Sequence, residues 1–147
     1  MNNDEKGQVH ILEMLTLFWL FFMSATFLIR VQVPDAESVA FDASLELAAE
    51  DSLNYGLGLE PVTDGDSRLH ELLEEGELNQ ACTLLQSAIA SGKEANCWMA
   101  KDSAMSVPYG TVGNPYGNTV TVHRLLNVNG DIWTVTLDVW SRGGGAA

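Results

Sequence analysis

From Met14 to Ile29 the chain runs sixteen residues without a charge, MLTLFWLFFMSATFLI, and this run constrains the fold more than any other feature. Extending it back to Val9 gives twenty-one residues interrupted only by His10 and Glu13. As a helix at ~1.5 Å per residue, that is about 31 Å, the thickness of a bilayer's hydrocarbon core. A helix buried in a soluble core would leave one face polar, whereas Phe18, Trp19, Leu20, Phe21, Phe22 and Met23 cover every direction. A secretory signal calls for a basic start, a shorter apolar run and a small-x-small cleavage site directly after it. Here Asp4 and Glu5 precede Lys6, and the nearest such triplet, Ser38-Val39-Ala40, lies well beyond Ile29. The expectation is a single transmembrane helix over residues 8–33, with the lipid bilayer as its first partner.

Beyond that helix the chain has room for one domain, residues 34–142, and a disordered tail, 143–147, since its whole length is 147 residues. Twenty acidic residues against seven basic ones give a net charge of −13, a surface that repels phosphate backbones, so nucleic acid is excluded as a partner. Between Asp35 and Glu77 thirteen carboxylates face one cation, Arg68. Apolar residues recur through that stretch, which predicts a folded, heavily solvated acidic surface and not disorder.

Pro34 is expected to end or kink the first helix and Asp35 to cap a second one reaching to about Tyr55. Phe41, Leu45, Ala48, Ala49 and Leu53 fall on one side of it, Asp42, Glu46 and Glu50 on the other. Gly56, Gly58, Pro61 and Gly65 predict a loop, then two short helices, Ser67–Glu75 and Glu77–Ala90, broken at Gly76. Leu78, Cys82, Leu85 and Ile89 form a stripe on the second. After Gly92 the period changes to two. Asn129-Gly130 suits a type I′ turn, and pairing Val128 with Asp131 sets Leu126 opposite Trp133, Arg124 opposite Val135, Val122 opposite Leu137 and Val120 opposite Val139. Thr119, Thr121, His123, Thr134, Thr136 and Asp138 then share the other face. Ala95–Lys101 is expected as a third antiparallel strand. The predicted class is α+β: a transmembrane helix, then helices packed on a small antiparallel sheet with a C-terminal β-hairpin.

Cys82 and Cys97 would be either a disulfide, which holds a short loop by about 3 kcal/mol in an oxidising compartment, or two buried thiols. Asp64-Gly65-Asp66 opens like a calcium loop but lacks the later ligands, and a turn capping the next helix explains it better. His70-Glu71-Leu72-Leu73-Glu74 has no second histidine for a zinc-protease helix and reads as a solvated helix face. Val107-Pro108-Tyr109-Gly110 and Asn114-Pro115-Tyr116-Gly117 repeat a Pro-Tyr-Gly turn, whose tyrosines either form an exposed contact loop or fold back on the sheet. No phosphate-binding glycine loop, nucleophile elbow or paired metal-ligand motif is present, so neither an enzyme nor a cofactor is expected.

Lys6-Gly7-Gln8-Val9-His10-Ile11-Leu12-Glu13, directly before the apolar run, resembles the class III signal of archaeal type IV pilins and archaellins. In that family a prepilin peptidase cuts after a glycine that follows a basic residue. The resemblance implies a leader, residues 1–7, with processing at Lys6, Gly7 and Gln8, and a helix that remains on the mature chain. The stretch is also similar to membrane-anchored haloarchaeal proteins that begin Arg-Gly-Gln-Ala-His-Thr-Leu-Glu, matched at Gly7, Gln8, His10, Leu12 and Glu13. Those tend to end in a hairpin closing on Val-Trp, as Val139-Trp140 does. Glu13 would be sixth after cleavage, whereas pilins with an assembly glutamate usually place it fifth. It is therefore either an assembly contact or a carboxylate at headgroup level beside His10.

On this resemblance the chain is expected to be a single-pass protein of the cell membrane with its acidic domain outside the cytoplasm. It would serve as a structural subunit or minor component of a type IV filament or its assembly system, with prepilin peptidase and related pilin subunits as partners. The alternative is a non-polymerising, membrane-anchored extracellular binding module.

Overall fold

The computed structural model describes residues 3–30, 36–63 and 65–143. It divides into two compact units, Met1–Asp35 and Ala36–Ala147. The first holds helix α1, Asn3–Arg30. The expected roles of Pro34 and Asp35, and residues 144–147 of the tail, lie outside the described residues.

The second unit is α+β. Helices α2 (Ala36–Gly58), α3 (Arg68–Glu74) and α4 (Leu78–Ala88) precede strands β1 (Lys93–Lys101), β2 (Val107–Tyr109), β3 (Thr119–Val128) and β4 (Asp131–Ser141). The strands form one antiparallel sheet in the order β2-β1-β4-β3. The hairpin has the expected register throughout, from Val128 opposite Asp131 to Val120 opposite Val139. Asn129 and Gly130 both take positive φ, 54° and 94°, the backbone that a type I′ turn demands.

All three helices cover one face of the sheet. Leu45, Ala49 and Leu53 of α2, Leu69, Leu72 and Leu73 of α3, and Ala81, Cys82 and Leu85 of α4 form one core with Cys97, Met99, Val122, Leu126, Val128, Trp133, Val135, Leu137 and Val139. Phe41, Leu78 and Ile89 pack at its margin, so both helical stripes read from the sequence face the core. Arg124, which the register places on this face, reaches outward to the Glu50 carboxylate.

Three elements differ from expectation. Helix α2 continues through Gly56 to Gly58, where a loop was expected. Gly56 is buried, and a Cβ there would lie 2.9 Å from Leu85 Cδ2, so the glycine permits close helix packing and does not break the helix. The first Pro-Tyr-Gly segment forms strand β2, paired with β1 through Cys97–Tyr109, Trp98–Pro108 and Met99–Val107. Proline is tolerated there because β2 is an edge strand. Finally, the cap of α3 is Ser67, whose hydroxyl accepts from the His70 amide; Asp64 of the expected capping turn lies outside the described residues.

Candidate functional site

Helix α1 is the one helix among the described residues long and apolar enough to cross a membrane, by length and composition. Its best window, His10–Phe27, is 18 residues, about 27 Å along the axis. Phe18, Phe21 and Phe27 are 65%, 75% and 73% exposed, so large apolar side chains stand out to solvent on all sides. Such a surface is compatible with a lipid environment, which requires no polar face. Both threonine hydroxyls of the run are satisfied within the helix. The Thr16 hydroxyl donates to the carbonyls of Leu12 and Glu13 at 3.0 and 2.9 Å, and Thr26 donates to those of Phe22 and Met23 at 2.9 Å each.

At the start of this window His10 Nδ1 lies 3.5 Å from a Glu13 carboxylate oxygen, one helical turn apart, both side chains well exposed. The structure thus places Glu13 beside His10. Lys6, Gly7 and Gln8 belong to the helical backbone of α1, and their side chains lie outside the described residues.

Cys82 of α4 and Cys97 of β1 are joined in a disulfide, both residues fully buried. The bond ties the last helix to an inner strand. Gln86, one turn further along α4, extends the same attachment: its amide donates to the carbonyls of Ala95 and Thr111 and accepts from the Thr111 amide. Asn79 accepts from the Gly110 amide, so α4 also holds the start of the loop after β2.

That loop separates the two tyrosines. Tyr109 ends β2 and packs at the margin of the core, as in the alternative that folds the tyrosine back on the sheet, whereas Tyr116 is 68% exposed. Between them Gly113 crosses the uncovered sheet face, exchanging two hydrogen bonds with the Asn96 side chain and lying against Trp140. This crossing buries Trp140, although its strand position faces away from the helices.

The Glu71 cluster and the Trp98–Asp138 bond escape a sequence reading. Glu71, in a segment that looks like a solvated helix face, is only 3% exposed. Its carboxylate accepts from the Thr63 hydroxyl, the Val62 and Thr63 amides and the Arg68 guanidinium. The Thr63 hydroxyl first, then the Val62 amide, with burial acting in the opposite sense, hold this carboxyl down to about 2. On the uncovered sheet face Asp138 accepts from the Trp98 indole at 2.7 Å and the Thr121 hydroxyl at 2.6 Å, and His123 Nδ1 lies 2.8 Å from the Thr136 hydroxyl. The hairpin register sets Thr121 opposite Asp138 and His123 opposite Thr136, and the pairing of β1 with β4 adds Trp98.

Among the described residues no cluster of three or more His, Cys, Asp or Glu side chains is placed to hold a metal ion. Comparison of the chain with protein-family models, with curated proteins and with solved structures finds no match.

Proposed function

We propose that this chain is a membrane-anchored, type IV pilin-like protein with a structural and non-enzymatic role. It would act as a subunit or minor component of a filament or its assembly system, its acidic domain outside the cytoplasm. The observation that carries the reading is α1: an all-round apolar helix whose hydrophobic run begins directly after Lys6-Gly7-Gln8. An apolar surface with no preferred face suits lipid first and a bundle of like helices later, because neither environment requires a polar side. A peptidase that removes only Met1–Gly7 leaves that helix on the product. The buried Cys82–Cys97 disulfide supports an oxidising, extracytoplasmic location for the domain.

The test is polymerisation. Native protein from which detergent has been removed should sediment as large assemblies, and Gly7→Val should abolish them while leaving the chain in the membrane. The exposed Tyr116 favours a second reading, an anchored module that binds a surface ligand without polymerising. A processed chain that stays monomeric after detergent removal would select that second reading.

A further inference from the structure

The two edges of the sheet are built differently. β2 is three residues long and carries Pro108 at its centre, both devices that stop a further strand from pairing. β3 is ten residues long, contains no proline, glycine, lysine or carboxylate, and pairs with β4 without a bulge. Because the two-residue turn at Asn129-Gly130 makes Val128 and Asp131 a hydrogen-bonded pair, the even-numbered residues of β3 bond to β4. The backbone groups of Thr119, Thr121, His123, Leu125 and Asn127 therefore point away from the sheet. All five residues are exposed, and among the described residues of the second unit no group bonds to those outward amides and carbonyls.

We propose that this edge pairs with itself: β3 of a second copy adds antiparallel, His123 opposite His123, joining two four-stranded sheets into one of eight strands. That register sets Thr121 opposite Leu125 and Thr119 opposite Asn127, so all five outward residues of each copy find a partner and about ten hydrogen bonds form. A second copy is the occupant because the strand is self-complementary and because of charge. At −13 per chain two copies repel across most of their surface, whereas β3 presents no carboxylate and its Arg124 is paired with Glu50, so this edge is locally neutral. Strand addition of this kind takes its affinity from main-chain bonds. The inference is independent of α1 and of the pilin-like reading.

The test uses the full chain in a mild non-ionic detergent. Sedimentation should show dimers, and Leu125→Pro, which removes one outward amide from each copy without touching the bonds to β4, should weaken them about tenfold or more. His123→Lys, which places two like charges face to face on an exposed position, should do the same without relying on a proline. Single cysteine variants fix the register. Under mild oxidation His123→Cys should cross-link to itself, whereas Thr121→Cys and Leu125→Cys should cross-link only when mixed, since hydrogen-bonded antiparallel partners lie within disulfide reach. The buried Cys82–Cys97 bond does not compete. A monomeric wild type would overturn the proposal and leave the edge to a strand of another protein. Dimers indifferent to all β3 variants would overturn it equally, by placing the contact elsewhere on the chain.

Discussion

Replacing Leu137 with alanine probes whether the hairpin register and the core are as described. Leu137 is fully buried at the centre of β4, with Cys97 of β1 on one side and Val122 of β3 on the other. The substitution removes three carbons, which at ~0.8 kcal/mol each costs about 2.4 kcal/mol of transfer free energy. The void adds to this, and collapse around it is restricted because Cys97 is anchored to α4 through its disulfide. A total of about 3 to 4 kcal/mol is expected, near the middle of the range for buried leucines. Leu125, on the opposite face of β3 and 68% exposed, supplies the control. Its truncation should cost below about 0.5 kcal/mol. Guanidinium unfolding of the full chain in detergent, followed by tryptophan fluorescence, measures both, since Trp133 and Trp140 are buried in the same unit. Equal effects of the two substitutions, or a Leu137→Ala cost below about half a kcal/mol, would refute the assigned face.

Replacing Cys82 and Cys97 together with alanine should lower stability by about 3 kcal/mol, a loss read from the shift in denaturation midpoint; an unchanged midpoint would mean that packing alone holds α4 on the sheet. Glu71 gives a pH signature with a definite sign. Its folded pKa, about 2, lies below the ordinary glutamate value, so its contribution is complete above about pH 4.5 and is lost as pH falls towards 2. Glu71→Gln should therefore destabilise at pH 7, and its difference from wild type should shrink by about pH 2.5; an equal difference at both pH values would argue against a charged role.

The range of each interaction decides whether the sequence discloses it. The hairpin was readable because Asn129-Gly130 and the alternation on both sides of it are local and agree with each other. The α2 and α4 stripes were readable because a 3.6-residue period needs no knowledge of the partner. Gly56 misled, because a glycine that lets two helices approach looks the same in sequence as one that ends a helix. β2 was concealed by its brevity and by Pro108, which argues against a strand unless the strand is known to lie at an edge. Glu71 collects donors brought to it only by the loop before α3, and Asp138 gains its Trp98 donor only through the strand order. The apolar run was the plainest signal of all, while the role of the residues before it rests on a resemblance and on no packing that the sequence could display.

That role is decided by the N-terminus of the protein in its native host, measured by mass spectrometry of the intact chain. On the pilin-like reading, in which a peptidase cuts after Gly7, the expected mature chain starts at Gln8, in part cyclised to pyroglutamate, with Met1–Gly7 absent. The same protein carrying Gly7→Val should retain the leader and still partition into the membrane, since its apolar run is unchanged. A native chain with Met1–Gly7 intact would contradict the pilin-like assignment and leave an anchored domain, and a chain starting beyond Ile29 would show that the helix served only for export.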